Sequence, residues 1–126
     1  MANDQLSGRD LDRAIAERVM GWRRKADGWQ HGKQQEVFVD EDGYHTVSCL
    51  CEEDFNPSES VEAAMQVVEK MRRDHFRFAC NDRHIVEIGE WWVEFATLEY
   101  ERGGQANSGT LPEAICRAAL AAIENQ

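Results

Sequence analysis

Three things are scarce in this sequence, and each scarcity removes a class of function. Basic residues are outnumbered, with 14 Lys and Arg against 24 Asp and Glu, a formal charge of -10. Such a surface repels long nucleic acids and anionic membranes unless its cations are strongly segregated, so polymeric DNA or RNA is not an expected partner. No apolar run approaches membrane-spanning length, and the opening Met1-Ala2-Asn3-Asp4-Gln5 is polar and acidic, unlike a signal peptide. A cytoplasmic protein without membrane association is expected. Recognisable catalytic signatures are also missing: no G-x-S-x-G, P-loop, H-E-x-x-H or Rossmann glycine pattern occurs. Catalysis would have to be assembled from scattered residues such as His45, His75, His84 and Cys49, and the expectation is that the chain is not an enzyme.

The four cysteines, Cys49, Cys51, Cys80 and Cys116, are dispersed, and in a cytoplasmic chain they read as buried thiols. A zinc site from Cys49, Cys51, His45 and Cys80 is the competing reading. Structural zinc sites favour longer cysteine spacers and a second ligand pair, so no metal and no cofactor are expected. Asp40 and Asp42 lack the remainder of an EF-hand loop and read as a charged turn.

What is present suits one folded domain spanning 1–126, with four Trp, five Phe and two Tyr for a core or a binding surface. Ser7 is placed to cap a helix over Gly8 to Trp22, with Leu11, Ile15, Val19 and Trp22 on one side. From Arg23 to Gln35 the pattern reads as a connection. Glu36 to Val39 and Tyr44 to Cys51 read as a hairpin about Asp42-Gly43. Asn56 and Pro57 signal a second helix reaching about Asp74, with Val61, Ala64, Met65, Val68 and Met71 inward. Phe76 to Cys80, His84 to Ile88 and Trp91 to Tyr100 read as strands, the last central because both its faces are largely apolar.

The final stretch organises the rest. Gly103 to Gly109 holds three glycines among small polar residues and reads as a loop, and Thr110, Pro112 and Glu113 start an alanine-rich helix. Leu111, Ile115, Ala118 and Ala122 share one face, and Cys116, Leu120 and Ile123 form a second apolar strip. A helix of this kind is covered either by its own sheet plus another element or by a second copy of the chain. The loop amides, the helix dipole at Thr110, Asn107 and the guanidinium of Arg117 could form an anion cradle, and Trp91, Trp92 and Phe95 a stacking platform beside it. The competing reading makes the loop a connector, the Trp residues core, and Arg117 a partner of Glu113 or Glu124.

Four segments resemble the phage ABA sandwich domain family: LDRAIAERVMGW at Leu11 to Trp22, NPSESVEAAMQVVEK at Asn56 to Lys70, WWVEF at Trp91 to Phe95, and TLPEAICRAALAA at Thr110 to Ala122. The second departs from the family pattern, which has an aromatic residue near Pro57 and a Trp where Met65 stands. The resemblance implies an α+β fold, an antiparallel sheet sandwiched between helical layers, consistent with the order α-β-β-α-β-β-β-α read from the elements. It also implies a role like that of Thoeris anti-defence nucleotide sponges. Those are non-enzymatic phage proteins that hold a cyclic ADP-ribose isomer, and in some cases cyclic oligonucleotides, at subunit interfaces of dimers or higher oligomers in the host bacterial cytoplasm. Of the ligand-contacting candidates only Arg117 is carried over by this resemblance. Two other readings remain: an acidic phage module that blocks a host protein, and a nucleotide-processing enzyme.

Overall fold

The structure, a computed structural model, describes residues 6, 8–30, 33–39, 55–82, 90–97 and 103–124. Helix α1 (Gly8–Ala14) continues into a π-helical segment (Ile15–Val19), and strands β1 (Arg23–Gln30) and β2 (Lys33–Val39) follow. Helix α2 (Val61–Arg73) leads to β3 (Arg77–Asp82), β4 (Trp91–Ala96), β5 (Gly103–Ser108) and helix α3 (Leu111–Glu124). The fold is α+β, with β1 and β2 forming an antiparallel pair and β3-β4-β5 an antiparallel sheet with β4 central.

Helix α3 is the element everything else covers. Ala114, Ile115, Cys116, Ala118, Ala119, Leu120 and Ala122 are all fully buried. β4 and β5 pack on one side of it, and α2, α1 and the π segment pack on others. Both apolar strips are therefore satisfied inside a single chain, and the Cys116–Leu120–Ile123 strip needs no second copy. Alanine makes this possible, because a helix without bulk lets neighbours approach on several sides at once.

The closest approach is to β5. A Cβ on Gly104 would lie 2.2 Å from the backbone N of Ala122 and 2.6 Å from the Cβ of Ala121. Gly103 and Gly104, expected in a loop, are thus strand residues, and the missing side chain of Gly104 admits the helix. Backbone pairing, from Trp91↔Ser108 to Ala96↔Gly103, commits this stretch to the sheet. Its amides lie in a ladder and do not converge as an anion cradle.

Helix α2 begins later and is rotated from the expected face. Asn56 O accepts from the amides of Glu59 and Ser60 in a preliminary turn. Ser60 is the actual cap, its hydroxyl accepting from Ala63 N at 3.2 Å. Ala63, Ala64, Val67, Val68 and Met71 face inward, while Val61 and Met65 are 49% and 41% exposed. The chain from Arg23, expected as a connection, is β1. Its polar residues give no alternation to read, and the ladder with β2 includes an irregularity between Lys25 and Gly28. The expected Ser7 cap, the strands at Tyr44 to Cys51 and His84 to Ile88, and the Asp42-Gly43 turn lie outside the described residues.

Gly104→Ala should lower stability by about 1–3 kcal/mol, because the added methyl meets helix backbone rather than a movable side chain. Urea unfolding checks this, and an unchanged midpoint would contradict the close packing of β5 on α3.

Candidate functional site

Alternation along β4 sorts the aromatic candidates. Val93 and Phe95 are fully buried toward α3, and Phe95 packs on Phe78 with ring centroids 5.4 Å apart. Phe95 is therefore core, contrary to the expectation that it lines a ligand platform. Trp91 lies on the same side, half-buried against the core cluster. Trp92 points to the opposite sheet face. It too is half-buried, and its indole Nε1 donates to Gln105 Oε1 at 2.9 Å. Its cross-strand partners are Asn81 on β3 and Asn107 on β5, both exposed.

This outward face has the makings of a recognition surface. The indole is fixed in orientation by one side-chain hydrogen bond, and an exposed carboxamide stands on either side of it. Each carboxamide offers two donors and one acceptor oxygen, the complement of a heterocycle's polar edge. Thr110, beyond the end of β5, is exposed, and its hydroxyl accepts from the Glu113 amide over a long 3.4 Å.

Arg117 belongs elsewhere. Its side chain reaches back one turn, as its place on the helix implied, but its Nε donates to Glu113 Oε2 at 2.8 Å. A second guanidinium nitrogen donates to the carbonyl of Leu6, also at 2.8 Å. The side chain is 20% exposed and ties the N-terminal segment to α3. The sheet stands between this clasp and Trp92, so one chain does not join Arg117 and Trp92 in a single site. Glu124, the other expected partner of Arg117, meets Arg18 at 3.6 Å.

Sequence reasoning missed a polar junction on the same side as Arg117. Asp12 is only 3% exposed. Its carboxylate accepts from the Ser58 amide at 2.8 Å and from Arg9 at 3.2 Å, and Arg9 also donates to Phe55 O at 3.0 Å. The available signal was an acid at the head of an otherwise apolar row, Asp12, Ala16 and Val19. These bonds position α1 against the turn before α2, where Phe55 packs under Trp22 with ring centroids 4.8 Å apart.

Cys116 is buried, and burial first, then the charges of Asp12 and Glu113, push its thiol well above the ordinary range despite Arg117. Cys80, expected to be buried, is exposed on β3. Among the described residues no three His, Cys, Asp or Glu groups gather as a metal set, and no helix is long and apolar enough to cross a membrane. His45, Cys49, Cys51 and His84 lie outside the described residues.

Against this geometry, the phage ABA sandwich domain model matches residues 13–120. The chain belongs to the phage ABA sandwich domain family. No curated protein matches it. Among solved structures, a phage protein from Bacillus cereus ATCC 14579, known from a 2.0 Å crystal structure, is similar with a TM-score of 0.62 and 21% identity. That match covers 92% of this chain and 86% of the other. The two proteins thus share a fold across most of both chains, and the family to which this chain belongs marks it as a phage protein.

Two outcomes test these assignments. Arg117→Ala should cost about 1–3 kcal/mol of stability, since it leaves the Leu6 carbonyl without its donor and Glu113 without its partner. Chemical denaturation measures it, and full stability would mean that the clasp contributes nothing. With an alkylating reagent at neutral pH, Cys80 should react in the folded protein and Cys116 only after unfolding. Peptide mass mapping reads both, and equal labelling would contradict the burial of α3.

Proposed function

We propose that this phage protein sequesters a nucleotide immune signal, a cyclic ADP-ribose isomer or a cyclic oligonucleotide, in the host bacterial cytoplasm and releases it unaltered. The observation that carries the reading is Trp92, an oriented indole on the outward sheet face between Asn81 and Asn107. Base stacking on such a ring contributes roughly 1–3 kcal/mol whatever the base. A flanking carboxamide can pair two-point with the amino and ring nitrogens of adenine. In this reading Trp92 and Asn107 touch the base, while Trp91 and Thr110 frame the near end of the sheet. A homo-oligomer, a dimer or larger, would lay a second copy over the outward face and exclude water from the ligand.

A second reading has a specific observation in its favour. Val61 and Met65, one turn apart on α2, are exposed in a strongly acidic chain, a combination that suits docking on a host protein.

Recovery of the ligand separates these readings. The purified protein is exposed to a pool of cyclic nucleotides, washed and heated, and the released molecules are identified by mass spectrometry. Wild type should yield an intact nucleotide, and Trp92→Ala should hold it about tenfold or more weakly. A hydrolysed product accumulating with time would replace sequestration by catalysis. Recovery of nothing from wild type would favour the protein-docking reading.

A further inference from the structure

A basic stretch lies where α2 gives way to β3. Lys70-Met71-Arg72-Arg73-Asp74-His75-Phe76-Arg77 holds four basic residues against one acid, a local charge of +3 in a protein of net -10. Asp74 is engaged by Lys70 Nζ at 2.6 Å, and Arg72, Arg73, His75 and Arg77 are exposed. Basic residues in a last helical turn stabilise the helix dipole, but Arg77 lies in β3, beyond the helix.

His75 adds an independent peculiarity. Its φ is +74°, the left-handed region. The helix ends in a Schellman arrangement around it, with Phe76 N donating to Met71 O and His75 N to Arg72 O, both at 3.0 Å. Glycine is the unstrained residue at this position, and an L side chain there is disfavoured by contact of its Cβ with the backbone. The imidazole is held at the centre of the basic turn despite that, and it is exposed.

Arg77, which follows this turn and opens β3, is in register with Trp92. Arg77 pairs with Ala96 and Asn81 with Trp92, so Arg77 and Trp92 share the outward face. Four residue steps along the strand, about 13 Å, separate them. Between them on the same face lie Glu94 and, across from it, Ala79. That spacing is close to the length of a nucleotide laid flat from base to phosphates.

Resting on the sequestration reading, we infer that the α2–β3 turn is its phosphate site: the base stacks on Trp92, the ribose hydroxyls donate to the Glu94 carboxylate, and the phosphates meet Arg77, Arg72, Arg73 and the His75 ring. The ligand class is a phosphorylated nucleotide bound lengthwise across β4 and β3. Guanidinium groups recognise phosphate oxygens by charge-assisted, two-point hydrogen bonds.

The test uses calorimetry with cyclic ADP-ribose and cyclic di-adenylate as probes, and inorganic pyrophosphate as competitor. Arg77→Ala and the double variant R72A/R73A should each weaken binding about ten- to hundredfold and flatten its salt dependence. Their thermal midpoints without ligand should hardly move. His75→Gly should raise the midpoint while weakening binding, a split that a purely structural histidine would not produce. Pyrophosphate should compete with either probe in wild type. Binding lost in Trp92→Ala but intact in all the turn variants would overturn this inference alone, placing the phosphates elsewhere. A wild type that binds neither probe would overturn the sequestration reading and this site with it.

Discussion

The structure depends on burying one alanine-rich helix on several sides at once. Helix α3 carries too little bulk to anchor a core by size, so its stability comes from the number of elements that can approach it. β5 approaches to a distance that only glycine allows at position 104. β4 contributes Val93 and Phe95, α2 contributes Val67, Val68 and Met71, and the first helix contributes Leu11 and Ile15, all fully buried. Dispersion and exclusion of water act over this whole perimeter, and polar pairs only orient what the apolar contacts hold.

Those polar pairs form a line along the rim of the helical side. Arg117 ties Leu6 to α3, Asp12 ties α1 to Ser58, and Arg18 reaches Glu124. Each joins segments distant in sequence, and together they fix how the N-terminal helix lies over α3. The consequence for function is a division of the molecule. Arg117, Asp12 and Arg18 on the helical side are engaged by the fold, while the described residues of the outward face of the β3-β4-β5 sheet include an oriented indole, two exposed asparagines and, at one end, Arg77.

Much of this fold was legible before any coordinates. Period locates the three described helices, although α2 begins at Val61 with Ser60 as its cap rather than at Asn56, the strand read from Trp91 is central over Trp91 to Ala96, and α3 announces burial on more than one side. The site was less legible because the same residues supported two readings. Arg117 sits in a polar stripe that suits a phosphate or a carboxylate equally, and Glu113 one turn away takes it. Phe95 and Trp92 belong to one aromatic run, and only the direction of α3 tells which is core and which is surface.

The sequence by itself determined the class of the fold, the identity of the helices and the central strand, because these follow from local periodicity and from hydrogen bonds within a few residues. Tertiary structure alone decided that Gly103 to Ser108 is a strand and that Arg23 to Gln30 is another. Backbone pairing, which carries no side-chain signature in glycine-rich or polar segments, is what recruits them. It decided too that α2 turns Met65 outward and Val67 inward, since a period fixes that a helix has an inner face but the neighbour fixes which one. Placing Trp92, Glu94 and Arg77 on one face required the antiparallel register of β3 and β4, a relation between residues too far apart in the chain for any local pattern to hold.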